Sequence, residues 1–158
     1  MKNILTKKSR IFLKRATRND AAEILAIETS AAKNKTYAAM TSLAEVTKCL
    51  KNQVVFFIKK GTQTIGSINY QLRGNERAQV RSLVILPAFQ GHGYGQKAVA
   101  LILKKVKKYK RVHLTVHPHN TRAILLYLSL GFIIETWKNN YFGDGQPRLI
   151  MAWKHRGL

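Results

Sequence analysis

The sequence predicts a single α/β domain, and three observations predict it. Apolar residues switch repeatedly between the alternating spacing of strands and the three-to-four spacing of helices, in the order β-α-α-β-β-β-α-β-α-β-β. One strand, ending Leu83-Val84-Ile85-Leu86-Pro87, runs through a short loop into glycines at 91, 93 and 95 and then into a helical pattern. The 158 residues suffice for one domain with a sizeable core, and no repeat or low-complexity segment divides them.

Residues 1–9 read as a basic lead-in, and 10–155 as the domain. Ile11 to Ala16 alternates as a strand. Asn19 or Asp20 caps a helix reaching about Ala32, with Ala22, Ile24, Leu25, Ile27 and Ala31 as its apolar stripe. A polar connection carries Tyr37 and Met40. Ser42 then starts a second helix to Lys51, with Glu45 completing a capping box. Three strands follow over Gln53–Lys60, Thr64–Leu72 and Arg77–Leu86, joined at Gly61-Thr62 and Arg73-Gly74-Asn75. Ala98, Val99, Ile102, Leu103 and Val106 give a helix over 94–108, whose terminal lysines read either as a nucleic-acid patch or as complements to the helix dipole. Val112, Leu114 and Val116 form the next strand, so 78–116 is one right-handed βαβ crossover. Asn120 caps a helix over 121–130 that Gly131 ends, and strands at Phe132–Trp137 and Leu149–Trp153 close the chain.

Composition narrows the function. Twenty-eight Lys and Arg against seven acids give a formal net charge of +21. That field favours anionic partners such as nucleotide cofactors, nucleic acid or a ribosome surface, and disfavours polyamines unless a local acidic pocket overrides it. The longest apolar runs fall far short of the ~20 residues a membrane helix needs. Residues 1–10 lack the apolar segment of a secretory signal. Cys49, the single cysteine, supplies neither a disulfide framework nor a thiolate metal site. The expectation is a cytoplasmic protein, monomer or homodimer, without membrane contact or metal.

The glycine loop carries the chemistry. A strand that stops at Pro87 and a helix that starts near Gly93 leave backbone N–H groups aimed out of the loop, at the positive end of the helix dipole. Dinucleotide and triphosphate signatures both fail. The third glycine is misplaced for G-x-G-x-x-G, and Gly95-Gln96-Lys97-Ala98 is not a P-loop. No Asp or Glu occurs between Glu76 and Glu135, so the core offers no magnesium ligands. Phosphates must be held by backbone N–H groups and cations, and coenzyme A is a ligand of that kind.

Here the sequence resembles a known group. Gln90-x-x-Gly93-x-Gly95, after an apolar strand and a proline, looks like the acetyl-coenzyme A motif of the GNAT N-acetyltransferase superfamily. Asn120-Thr121-Arg122-Ala123-Ile124-x-x-Tyr127-x-x-x-Gly131-Phe132 is similar to its other signature, and Tyr141 to Arg148 to a common ending. The resemblance spans about 10 to 153. It implies a mixed sheet of six to seven strands with four helices. It further implies that Leu83, Val84 and Ile85 bind the pantetheine arm through their backbone. The pyrophosphate would lie on Gln90, Gly91, His92, Gly93, Tyr94, Gly95 and Gln96, with Asn120 beside the arm. A backbone N–H at Val84 or Ile85 would hold the oxyanion, and Tyr127 would protonate the departing thiolate.

The base is where the match departs. Family members often carry glutamate where Gln79 and Thr115 stand here, and neither residue takes a proton from an ammonium. His117, acids outside the core such as Glu28, Glu76 or Glu135, and water relays are the remaining candidates. An α-amine of pKa ~8 needs a base less than an amine of pKa ~10. The implied activity is therefore acetyl transfer from acetyl-coenzyme A to a peptide N-terminus or a small amine, with acceptor walls around Tyr37, Met40, Tyr70 and Tyr141. Two other readings stand beside it: a coenzyme A-binding domain without transferase activity, and a basic protein associated with nucleic acid or the ribosome.

Overall fold

The computed structural model describes residues 10–154; the basic segment 1–9 and the last residues lie outside it. Seven strands and four helices appear in the expected order: β1 (Ile11–Arg15), α1 (Ala21–Ser30), α2 (Leu43–Asn52), β2 (Val54–Lys60), β3 (Gln63–Arg73), β4 (Arg77–Ile85), α3 (Tyr94–Val106), β5 (Arg111–Val116), α4 (Thr121–Ser129), β6 (Phe132–Lys138) and β7 (Arg148–Trp153). They form one sheet in the order β1-β2-β3-β4-β5-β7-β6, antiparallel throughout except for the parallel β4–β5 pair that α3 bridges.

Local chemistry sets the boundaries. The Ser42–Glu45 capping box forms: the Glu45 N–H donates to Ser42 Oγ (3.2 Å) and the Ser42 N–H to Glu45 Oε2 (3.2 Å). Asp20 precedes α1 as the sequence suggests, but its side chain turns back to the preceding turn and does not cap the helix. Its Oδ2 accepts from the Thr17 N–H at 2.6 Å and winds 18–20 into a 3₁₀ turn.

Both faces of the sheet are covered. Ala16, Val55, Phe57 and Val84 meet Ile24 and Ile27 of α1 and Val46 and Cys49 of α2 on one face. On the other, Ile58, Ile68, Val80 and Leu114 pack against Ala98, Val99, Ile102 and Val106 of α3, with Tyr127 of α4 alongside. An alternating strand period thus feeds two cores.

Strand β4 positions the site. It pairs with β5 only from Arg77↔Arg111 to Val80↔Leu114, then continues to Ile85 while bonded to β3 alone. Opposite β3 the register slips, since Asn69 faces Ser82 and Tyr70 faces Val80. Arg81 is the extra residue, and such a bulge bends a strand away from its neighbour. Beyond Val80 the sheet opens into a gap, with one edge of β4 unpaired.

Candidate active site

The α3/α4 side of the gap holds a cleft of about 570 Å³. Leu83 and Ile85 form its wall, Gln90, Gly91, Gly93, Tyr94, Gly95 and Gln96 its rim, and Asn120, Arg122, Ala123 and Leu126 the facing helix. Gly91 (φ 82°) and Gly93 (φ 79°) are left-handed, a conformation that β-carbons disfavour. Gly95 has a different reason. A β-carbon there would come within 3.2 Å of Leu126 Cδ1, so the third glycine lets α3 approach α4.

The donors of the loop are only partly those expected. The Gln90 N–H already donates to Pro87 O (3.3 Å), and its side-chain Nε2 donates to Ile85 O (2.9 Å). The first α-helical bond runs from the Lys97 N–H to Gly93 O (3.2 Å), so no helical carbonyl takes the N–H groups of Gly95 and Gln96. His92 lies outside the cleft, stacked on Tyr94 with a ring-centroid distance of 5.9 Å. Gln96 Nε2 donates across to Ser129 Oγ (3.1 Å), tying α3 to α4. Arg122 belongs to the second sequence motif. Its Nη2 would stand 3.8 Å from a β-carbon on Gly91, a cation set over the anion loop.

The unpaired edge of β4 follows strand alternation. Val84 O points at β3, where a β-carbon on Gly66 would meet it at 2.1 Å, and the Leu86 N–H donates to Ile65 O (2.8 Å). Ile85 O faces the other way, toward Gln90. The backbone of Leu83 and Ile85 therefore lines the gap, and Val84 turns its own toward β3 and its side chain into the α1/α2 core. Of the two residues offered for the oxyanion, Ile85 is the one whose N–H is directed there. Gly66, inside a strand, is the signal that a close approach occurs here.

Asn120 lines the cleft and caps α4, its Oδ1 accepting from the Ala123 N–H at 3.2 Å. Tyr127, two turns on, is not on the cleft wall. It is 8% exposed, packed edge-on against Phe132 at 5.6 Å between ring centroids. Among the described residues its hydroxyl has no hydrogen-bond partner, and burial pushes its pKa up to about 12. The proton therefore stays on the oxygen at any ordinary pH.

Across the gap, on the α1/α2 side, three segments converge. Glu28, only 1% exposed, accepts from Ser82 Oγ (2.8 Å), from Tyr37 Oη (3.1 Å to each oxygen) and from the Met40 N–H (3.1 Å). Tyr37 and Ser82 also bond to each other. Burial raises the Glu28 pKa, and the three donors lower it by less. The same burial, with Glu28 beside it, holds the Tyr37 pKa well above its ordinary value, and Tyr37 also feels the Tyr127 hydroxyl electrostatically. Glu28 thus corrects the expectation that the remaining acids lie outside the core. The signal was present: Ile24, Ile27, Glu28 and Ala31 share one helical stripe, so Glu28 sits where an apolar residue belongs.

The other proposed bases are engaged. Glu76 pairs with Lys110 and Glu135 with Arg111 on the surface. His117 is buried, with Nδ1 accepting from the His119 N–H (3.1 Å) and Nε2 against Gln146 Oε1 (3.0 Å), so it anchors the β6–β7 loop to β5. Gln79 accepts from Arg73 Nε (3.2 Å) and reaches toward Tyr141 Oη (3.5 Å). Tyr37, Met40 and Tyr141 gather on the Glu28 side of the gap. Tyr70 does not: it stacks on Phe56, with ring centroids 6.4 Å apart, against the core of the α3 face.

Comparison with known proteins agrees with this fold. The sequence profile described as "Acetyltransferase (GNAT) family" matches residues 13–132. No curated protein matches the sequence. Many solved structures share the fold. The ribosomal-protein-S18-alanine N-acetyltransferase of Escherichia coli is 21% identical over 94% of this chain and 99% of its own, with a TM-score of 0.75. A spermidine N-acetyltransferase chimera from Vibrio cholerae and hSSAT is 20% identical over 92% of this chain and 95% of its own, with a TM-score of 0.75. A GNAT acetyltransferase from Elizabethkingia anophelis, solved with acetyl-CoA bound, is 16% identical over 92% and 98%, with a TM-score of 0.71. Likeness of this degree is one of fold, and the acceptors named for the first two differ.

Proposed function

The chain belongs to the acetyltransferase (GNAT) family, and we propose that it transfers acetyl from acetyl-coenzyme A directly to a primary amine, a peptide N-terminus or a small amine metabolite. The observation that carries this reading is the gap beyond Val80. It joins an anion-binding cleft on one side of β4 to a buried carboxyl on the other. The cleft suits the cofactor: left-handed glycines, outward N–H groups and Arg122 form a cradle, and no carboxylate lines it. When bound, acetyl-coenzyme A supplies the acetyl group as an activated thioester.

The residues divide the work. Gly91, Gly93, Gly95 and Gln96, with Arg122, hold the phosphates, and the backbone of Leu83 and Ile85 aligns the arm as an added strand. The Ile85 N–H is a fixed donor for the carbonyl oxygen. Glu28 takes the proton of the attacking amine through the hydroxyls of Ser82 and Tyr37. Its raised pKa brings the carboxyl closer to the amine it must deprotonate. Tyr127 holds a proton for the leaving sulfur.

Acetyl-coenzyme A affinity and amine-dependent thiol release, measured on Tyr127→Phe, test the assignment. Turnover falls ~100-fold with cofactor affinity within a few-fold if the hydroxyl is the acid. Equal losses in both would make it structural.

A further inference from the structure

The acceptor side carries an arginine with no anion to answer it. Arg81, the bulged residue of β4, is half-buried and lies over the Phe142 ring, its guanidinium carbon 5.9 Å from the centroid. The chain has seven acids, and each is engaged elsewhere. Asp20 caps at Thr17, Glu23 bonds Thr64, Glu45 bonds Ser42, and Glu28 binds Ser82 and Tyr37. Glu76, Glu135 and Asp144 pair with Lys110, Arg111 and Arg148. Among the described residues the Arg81 guanidinium has neither a carboxylate nor a hydrogen-bond acceptor. Arg73 is close enough to repel it, and burial together with that repulsion lowers its pKa. A partly desolvated charge held beside a like charge is costly unless an anion arrives to satisfy both.

The position of Arg81 identifies what that anion belongs to. A bulge sets two successive residues against one, and here it brings Arg81 and Ser82 to the same face of the sheet. Ser82 and Tyr37 are the hydroxyls in front of Glu28, where the acceptor amine loses its proton. Tyr141, beside Gln79, packs edge-on against Phe142, and the loop that carries them is pinned by Asp144 to Arg148 (3.0 Å). We propose that Arg81, backed by Phe142 and Arg73, is a carboxylate subsite, and that the acceptor is an amine bearing a carboxylate a few bonds from the reacting nitrogen. The inference rests on the transferase reading and narrows its acceptor to amino-acid-like molecules or acidic peptide termini. A guanidinium holds a carboxylate in a bidentate geometry, which orients the amine as well as binding it.

The test uses matched pairs that differ only in this charge: alanine against alaninamide, and Ala-Glu-amide against Ala-Gln-amide, followed by thiol release. Alaninamide has the less basic amine, so a preference for alanine runs against intrinsic reactivity. The expected result is at least a ~10-fold advantage in kcat/KM for the carboxylate member of one pair, carried by KM, equivalent to about 1.4 kcal/mol. The first pair reports an α-carboxylate and the second an acidic side chain. Arg81→Gln should abolish the advantage, Arg81→Lys should restore part of it, and Lys104→Gln, an exposed cation on α3, should leave it intact. Binding of N-acetylalanine against N-acetylalaninamide to the coenzyme A-loaded protein gives the same comparison without turnover. No preference in any pair, or one that survives Arg81→Gln, overturns the subsite and leaves the transferase reading standing. Failure to bind acetyl-coenzyme A overturns both.

Discussion

On the α3/α4 side of β4 the site is made mainly of backbone, and on the α1/α2 side it is made of side chains. The cofactor side uses the edge of β4, the N–H groups ahead of the first α3 bond and two left-handed glycines, all within residues 83–96, with the start of α4 facing them. The acceptor side takes Glu28 from α1, Tyr37 from the connection after it, Ser82 from β4 and Tyr141 from the β6–β7 loop. A common cofactor can be met by a fixed backbone geometry. An individual acceptor needs particular side chains, and these are brought together only by the tertiary fold. Strand β4 belongs to both sides, and variants can separate them.

Gly93→Asp should have the largest effect, and only on the cofactor side. Asp tolerates a left-handed backbone better than most residues, so the loss comes from a negative charge in the phosphate cradle. We expect acetyl-coenzyme A affinity to fall at least ~100-fold, about 2.7 kcal/mol. Gly93→Asn, with the same backbone tolerance and no charge, should lose far less in the same titration. Unchanged affinity for the Asp variant would remove the loop from the site.

Gly66→Ala should strike both sides together. Its β-carbon would meet Val84 O at 2.1 Å, so β4 has to move. Overpacking of this kind costs about 1–3 kcal/mol, read as a melting temperature lower by roughly 3–10 °C. Cofactor affinity and acceptor turnover should fall in parallel; loss of one alone would show that β4 does not couple them.

Arg122→Gln is a smaller probe of the cofactor side. An exposed ionic contact is worth up to about 1 kcal/mol, so affinity should drop a few-fold, with the difference shrinking in high salt. An unchanged salt dependence would deny the arginine a phosphate contact.

The subtlest effect belongs to Glu28. Its folded pKa is raised by burial above the ordinary 4.5, so the folded state holds the proton more tightly than the unfolded chain. Its contribution to stability is full below about pH 4.5 and is lost as pH rises through the raised value. Unfolding of Glu28→Gln across that window should therefore be flatter with pH than wild type, while its turnover should fall and lose the rise with pH that ionisation of the carboxylate sets. A variant with wild-type pH dependence in both would place the base elsewhere.

How much could be read from the chain follows the same division. Every strand and helix was legible within a residue or two, because each carries its own period and stop signal, as Pro87 and Gly131 do. The cofactor loop was legible because its residues are consecutive. Its division of labour was not: that Gly95 serves packing, that Gln90 ties off Ile85 and that Arg122 faces Gly91 are matters of three-dimensional approach. Glu28 reads as lying outside the core because carboxyls usually do, although its stripe points inward. Arg81 was unreadable, since it matters through a bulge and through seven acids being engaged elsewhere. The +21 charge concealed it among twenty-seven other cations.

The central claim is that the gap beyond Val80 joins cofactor and acceptor across one strand. It is tested most directly by titrating one preparation with acetyl-coenzyme A and then following thiol release on adding alanine. Saturable binding, followed by release that depends on the amine and is slowed by both Tyr127→Phe and Glu28→Gln, is the predicted result. Binding without amine-dependent release, from alanine or from any amine in the matched pairs, would contradict it.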